Sequence, residues 1–390
     1  MSDRNFETRQ IHSGQGPDEH GALNTPIYAN VTYAYDSPTE TRGEYRYSRM
    51  ADPTGDSLND VVADLENGTH ARTFASGMGA INALFATVLS AGDHVVASEN
   101  LYAETHTLLT RVFSSFDVEV SLVDTTDPEV VADAIRPETE LVYLETPTNP
   151  ILRVSDIEAV ADRATEQLVA VDNTFASPAL QRPLDLGADV VVESLTKYIS
   201  GHSDAIAGAL VTDDAELDSA FGVLQYNQGA TLGPFEAFLV RRGAKTLAGR
   251  MRTHCENARL VAEHLAEHPD VSTVHYPGLE SHPDHDVAAR QMADFGGMVS
   301  FELDGSLSET SATLSAMELF ELAESLGGVE SLVEQPAVMT HQDLSREERH
   351  AAGITDSLVR LSVGIEHPDD LIADLDAAIE AGLSERRSDG

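Results

Sequence analysis

The stretch 168-LVAVDNTFASPALQRPLDLGADVVVESLTKYISGHSDAIAGALVTD-213 decides the fold. It holds three near-continuous apolar runs, at 168–172, 188–196 and 208–213, separated by segments rich in Pro, Gly and Ser. A strand wetted on one face alternates apolar and polar residues; these runs do not alternate. They therefore predict strands buried on both faces of a mostly parallel sheet. In open α/β sheets of this kind, ligands bind beyond the carboxyl ends of the strands. Asp172 closes the first run, and Ser194, Thr196 and Lys197 close the second. The lysine stands out, because the chain has two lysines, Lys197 and Lys245, against 22 arginines.

Working outward, the same texture repeats. "SLNDVVADLENG" (57–68) and "GMGAINALFATVLSAG" (77–92) have helical periodicity, the second closed by Gly92. "HVVAS", "DVEVSLVD" and "ELVYLE" read as strands, with "DPEVVADAI" a helix between the last two. "SDIEAVADRATEQ" (155–167) reads as a further helix capped by Ser155 or Asp156. Beyond about 245 the texture changes. A long helix (245–268) leads to strands in "VSTVHYPG", "GGMVSFELDG" and "LVRLSVGIE" and to a closing helix, "PDDLIADLDAAIEAG". The expected organisation is an arm over 1–57, a large α/β domain over 58–246 and a smaller α+β domain over 247–390.

Composition narrows the classes. Twenty-four basic residues against 66 acidic give a formal net charge of −42. Such charge repels nucleic acid and acidic lipid surfaces. Acid excess with scarce lysine and retained arginine predicts a protein adapted to molar salt, where the Debye length falls to about 3 Å. No apolar run is long enough to span a bilayer and "MSDRNFETRQ" lacks a secretory apolar segment, so a soluble cytoplasmic protein is expected. The single cysteine, Cys255, excludes an intrachain disulfide and reads as a half-buried structural thiol. His282 and His285 in "HPDHD" lack further ligands nearby, so no metal site is expected.

An amine, a carboxylate and two hydroxyls thus converge on one sheet edge, and "ETPTNP" adds Asn149 after another strand. Pyridoxal phosphate asks for this set. Its aldehyde needs a lysine, its pyridine nitrogen a carboxylate, and its phosphate a helix start with free N–H groups. "FASGMGAI" supplies such a start at Ser76, Gly77 and Met78. Arginine could not replace Lys197, because it does not lose its proton. The competing dinucleotide reading of "GMGAIN" fails on Asn82 where the third glycine belongs and on the lack of a good strand before it.

The segment 171–204, with "YSRMADPT", "ETPTNP", "YPGLESHPDH", "FGGMVSFEL", "SLGGVESL" and "LVRLSVGIE", closely resembles the pyridoxal phosphate enzymes of cysteine and methionine metabolism. These include cystathionine γ-synthase and γ-lyase, methionine γ-lyase and the homoserine-ester sulfhydrylases. The resemblance implies fold type I of the cofactor's enzymes, an aspartate aminotransferase-like large domain with a small C-terminal domain. It implies that Lys197 holds the cofactor and shuttles protons, Asp172 meets the pyridine nitrogen, and Tyr102 stacks on the ring and assists proton transfer. Gly77, Met78, Ser194 and Thr196 would bind the phosphate, joined by Tyr47 and Arg49 from a neighbouring subunit of a dimer or tetramer. Arg360 would take the substrate α-carboxylate, with Asn149 and Ser325 nearby.

Which member it resembles turns on few residues. Glu324 matches the glutamate of the cystathionine enzymes, and Glu104 stands where methionine γ-lyases carry cysteine. Thr107 stands where cystathionine enzymes usually carry arginine. Asp52 and Glu193 replace the family's usual Asn and His, which acidification of the surface would explain; Ser200 replaces a further Asn. The expectation is a cystathionine γ-lyase or γ-synthase, γ-elimination slightly ahead, acting on cystathionine or an O-acylhomoserine. The alternatives are a sulfhydrylase, which typically carries an insertion missing here, a methionine γ-lyase, or a cofactor-binding protein without catalysis.

Overall fold

The computed structural model describes residues 4–384 except 15, 17, 19, 343 and 344. Within the expected arm lie a helix, Phe6–His12, and a hairpin of β1 (Tyr35–Ser37) and β2 (Glu40–Thr41). The start of the arm and the tail 385–390 lie outside the described residues. Helix Pro53–Leu65 begins before residue 57, because Asp52 caps it: one carboxylate oxygen accepts from Thr54 N and Gly55 N, both at 3.0 Å. Pro53 at the first helical position costs no backbone hydrogen bond there. Asp52 is buried, so its carboxylate is a cap and not the surface acidification expected of it.

The large sheet has seven strands: β3 (His70–Phe74), β4 (His94–Ser98), β5 (Glu119–Val123), β6 (Thr139–Glu145), β7 (Leu168–Asp172), β8 (Val190–Glu193) and β9 (Gly208–Thr212). Their spatial order is β3-β9-β8-β7-β6-β4-β5. From β8 through to β5 the pairs are parallel, and β9 runs antiparallel to both neighbours. Val190, Val191 and Val192 are fully buried on alternating faces, which is why their run carries no polar residue. Burial of each such side chain contributes about 1.5–3 kcal/mol.

Two sequence expectations change here. A strand, β3, does precede the helix Gly77–Val88. It is an edge strand with half-exposed His70, Ala71 and Arg72, so its polarity hid it. The helix expected over 155–167 is short, Ile157–Ala161, with Asp156 accepting from Ala159 N at 3.1 Å. The helices Ala215–Gln228 and Pro234–Ala244 cover a stretch for which no elements were expected.

Helix Leu247–Ala266 leads into a second sheet, β10 (Val271–His275), β11 (Met298–Leu303), β12 (Glu321–Leu322), β13 (Leu332–Glu334) and β14 (Leu358–Ser362), ordered β10-β11-β14-β13-β12. Closing helix Pro368–Gly382 packs Leu371, Leu375 and Ile379 against its apolar face. Cys255 on the long helix is 1% exposed, deeper than the half-buried position expected, and burial pushes its thiol up to about 12. Lys245 stands just before this helix, its amine bonded to Asn24 Oδ1 of the arm.

Candidate active site

A cavity of about 780 Å³ lies at the carboxyl ends of β6, β7 and β8, closed on the other side by the loop 323–326 and by Arg360 of β14. The two sheets thus share one site. Its floor is set by strand termini. Glu145 ends β6 and Asp172 ends β7, while at β8 it is Ser194, following the terminal Glu193, that reaches the cavity.

Lys197 sits in a tight turn after β8, its N–H on Ser194 O at 3.1 Å. Its Nζ donates to Ser325 Oγ at 2.8 Å. Burial, and then the Arg360 charge, lower the amine to about 8, so the unprotonated, nucleophilic form is reached near pH 8 and not near the ordinary 10.5. Ser325 is held in a left-handed conformation, φ +90°, which puts its hydroxyl on Lys197 and its carbonyl on Arg360 Nη2 at 2.9 Å. Two residues on, Gly327 (φ +77°) packs so closely that a Cβ would lie 2.7 Å from Tyr198 N. No side chain is tolerated there if the loop is to stay on the lysine turn.

Asp172 is buried and takes hydrogen bonds from neutral donors: Thr174 N to Oδ1 at 3.1 Å and Tyr143 Oη to Oδ2 at 3.3 Å. Burial raises its pKa. A protonated ring nitrogen is the partner such a carboxylate lacks. The helix Gly77–Val88 starts at the cavity, and Ser76 Oγ accepts from Gly79 N at 3.0 Å. Among the described residues the N–H groups of Gly77 and Met78 in that first turn have no hydrogen-bond acceptor. Gly208 lets β9 lie against this helix start, since a Cβ there would lie 2.3 Å from Ser76 O. Lysine, carboxylate and helix start therefore fit pyridoxal phosphate.

Arg360 is 3% exposed. Its Nη1 donates to Asn149 Oδ1 at 2.8 Å and its Nη2 pairs with buried Glu334 Oε2 at 3.1 Å. Its Nε is buried without a partner, a free donor on the cavity wall. Tyr102 is part-exposed on the cavity, and burial and then Glu104 push its phenol above the ordinary range. Glu324 also lines the cavity.

Of the residues expected at the site, eleven line this cavity: Lys197, Tyr102, Asp172, Gly77, Met78, Ser194, Thr196, Arg360, Asn149, Ser325 and Glu324. Thr196 differs in detail, because its hydroxyl donates to Ala207 O at 3.1 Å and accepts from Ala207 N at 3.0 Å. Tyr47 and Arg49 do not line the cavity of their own chain. Arg49 stacks over Tyr226 at 4.3 Å and donates to Tyr226 O at 2.8 Å. His282 and His285 serve loop hydrogen bonds, and among the described residues no cluster of His, Cys, Asp or Glu is placed to hold a metal ion.

Sequence reasoning missed Glu145 and Glu334. Glu145 accepts from Tyr102 N at 2.8 Å and Asn149 N at 3.1 Å, so one buried carboxyl places both residues. Burial and the neighbouring Asp172 push it up to about 8. Its position before "TPTNP", at the end of an apolar strand, was the available signal. Glu193 is also buried, so the reading of it as surface acidification is wrong.

Fold and site together define an enzyme built for pyridoxal phosphate chemistry on an amino acid. The sequence belongs to the Cys/Met metabolism PLP-dependent enzyme family, whose profile matches residues 7–380. It is 50% identical to the cystathionine gamma-synthase of Mycobacterium bovis over 375 residues, covering 95% of this chain and 96% of that one. It is 48% identical to the cystathionine beta-lyase of Coxiella burnetii over 379 residues, 96% and 97% of the two chains. The crystal structure of cystathionine gamma-lyase from Lactobacillus plantarum complexed with L-serine superposes with a TM-score of 0.94 at 42% identity, covering 97% of this chain and 99% of that one. Among the described residues no helix is long and apolar enough to cross a membrane.

Proposed function

We propose that this chain is a pyridoxal phosphate-dependent trans-sulfuration enzyme of the cystathionine γ-lyase/γ-synthase type. It acts at the γ-carbon of cystathionine or an O-acylhomoserine. The relatives' names divide between synthase and lyases at nearly equal identity, so the reading rests on the site. The observation that carries it is the junction at Ser325, which joins the Lys197 amine to the Arg360 guanidinium through one residue.

The cofactor, when bound, supplies an electron sink that acidifies the substrate's carbon acids. Lys197 would hold it, and its amine, lowered by burial to about 8, is placed to move protons at the substrate's α, β and γ carbons. Asp172 would keep the ring nitrogen protonated. Gly77 and Met78 N–H groups with Ser194 would hold the phosphate at the helix start. Arg360 and Asn149 orient the α-carboxylate, so that the α-proton faces Lys197. Tyr102, on the cavity wall, would cover the ring. Glu324 offers a carboxylate to the distal ammonium of cystathionine.

The cavity wall carries Asp204, Glu324 and Glu330 besides the floor acids, and its cations are Lys197 and Arg360. That balance favours a neutral acyl ester such as acetyl over one bearing a carboxylate such as succinyl. The N–H groups at Gly77 and Met78, and Tyr47 and Arg49 lying outside their own chain's cavity, support a dimer in which those two residues complete the neighbour's phosphate site. The charge of −42 supports a cytoplasm of molar salt. The test is to offer L-cystathionine, and separately O-acetylhomoserine or O-succinylhomoserine with cysteine, in about 2–3 M KCl. 2-Oxobutyrate from the first establishes elimination, and cystathionine from the second establishes replacement. No product from any of them refutes the reading.

A further inference from the structure

Three adjacent strands end on an acid, but Glu193 does not line the cavity. It is 1% exposed and lies against Glu66, 0% exposed, the residue that closes helix Pro53–Leu65. The two carboxyl groups are within hydrogen-bonding reach of each other. Glu66 Oε2 and Glu193 Oε1 are both buried without a donor. No ion pair joins either to a basic side chain among the described residues. Two carboxylates cannot both stay charged in such a place, and one proton between them turns two orphan acceptors into a hydrogen bond.

We propose that Glu66 and Glu193 share a single proton, and that this acid pair is a positioning element fixing the strand ends that carry Asp172 and Ser194. Asn173, next to Asp172, donates from Nδ2 to Glu66 Oε1 at 3.2 Å and to Gln181 O at 2.9 Å. Its own N–H donates to Val192 O at 3.0 Å, joining β7 to β8. Gln181 Nε2 donates in turn to Asn173 Oδ1 at 3.0 Å and to Thr146 O at 3.1 Å. Gln291 Nε2 donates to Gln181 Oε1 at 3.0 Å. A buried polar chain thus runs from the acid pair under Asp172 to the turn that holds Asn149. On the other side, Glu193 precedes Ser194, whose N–H donates to Thr174 Oγ1 at 2.9 Å.

The groups facing Glu66 are Glu193, Asn173, Arg182 and Asp185; those facing Glu193 are Glu66, Asp172 and Asn173. Burial raises both acids; the Glu66 charge further opposes ionisation of Glu193, while the hydrogen bond from Glu193 and the Arg182 charge favour the Glu66 carboxylate, so the shared proton sits on Glu193. The folded protein therefore keeps a proton that the unfolded chain releases above the ordinary glutamate value of 4.5. Stability from the pair is full below that value and is lost as pH rises through the raised one. Positioning rests on the reading of Asp172 as the ring-nitrogen partner; the shared proton does not.

The experiment compares holoenzyme of the native protein, E66Q, E193Q and E193A between about pH 5 and 9. Thermal unfolding and the infrared carbonyl absorption of protonated carboxyl groups are followed in high KCl. Either glutamine gives the remaining carboxylate a permanent N–H donor. The native unfolding temperature should fall with rising pH, the two glutamine variants should flatten that slope, and both should lose the same infrared component. A native slope that E193Q leaves unchanged, or no component common to both losses, overturns the shared proton. If the variants do not fold, a flat native profile overturns it alone. For positioning, E193A should move the pH midpoint of the bound cofactor's visible absorbance by roughly half a unit or more, and E193Q should restore it. An unmoved midpoint in E193A overturns the positioning role.

Discussion

Replacing Arg360 by methionine separates what this side chain does for the fold from what it does for the substrate. Methionine keeps much of the volume but removes the guanidinium contacts to Asn149 at 2.8 Å, Ser325 O at 2.9 Å and Glu334 at 3.1 Å. Glu334 is 0% exposed, so R360M strands a buried carboxylate. Breaking such a pair from one side costs about 3–5 kcal/mol. E334Q in the same background removes the stranded charge, and the amide still offers its oxygen to Thr340 Oγ1, which now donates to Glu334 at 2.9 Å. The double variant should recover to within about 1–2 kcal/mol of the native protein, since a buried pair and its neutral replacement are often close in stability.

Activity should not recover. Two charge-assisted hydrogen bonds to the substrate carboxylate are worth about 1.5–3 kcal/mol each. At about 1.4 kcal/mol per decade their loss lowers kcat/KM by about 10²–10⁴-fold in both R360M and R360M/E334Q. Urea unfolding at fixed KCl measures stability without changing ionic strength, and steady-state kinetics on L-cystathionine measure the rest. A double variant as unstable as R360M would refute the Glu334 pairing. A kcat/KM within threefold of native in either variant would refute the carboxylate role.

Other outcomes follow from the same structure. The rate at which cofactor-free protein captures pyridoxal phosphate should rise with pH to a plateau above about 8, because only unprotonated Lys197 attacks the aldehyde; a midpoint near the ordinary lysine value of 10.5 would contradict its burial beside Arg360. Added KCl should raise the unfolding temperature where an uncharged osmolyte at equal osmolality does less, since 42 net negative charges repel across the surface; equal stability in dilute buffer would count against salt adaptation. Cys255, buried and with its thiol pushed up to about 12, should resist thiol reagents in the native protein and react at once in urea.

The parts of the fold legible in the sequence were those with one dominant signal. Val190–Glu193 and Leu168–Asp172 are buried on both faces, so their composition alone marks a parallel core sheet. Lys197 was legible because lysine is scarce everywhere else. Edge strand β3 and the short β12 and β13 were hidden, because half-exposed or two- to three-residue strands carry no period. The acids were hardest. In a chain with 66 of them, an acid at a strand end looks like surface solvation, and sequence carries no sign of depth. Glu145, Glu193 and Glu334 became distinct only through their depth, each buried at the end of its strand. Asp52 shows the same limit at a helix cap, where Asp and Asn serve alike.

The most direct test of the central claim is product analysis on L-cystathionine and on O-acetylhomoserine with cysteine, comparing native protein with K197A, both in high KCl with added pyridoxal phosphate. The native protein should form 2-oxobutyrate with equimolar cysteine, or cystathionine, and K197A should form neither while remaining folded. Turnover by K197A at the native rate, or a native protein that binds the cofactor yet transforms neither substrate, would contradict the account.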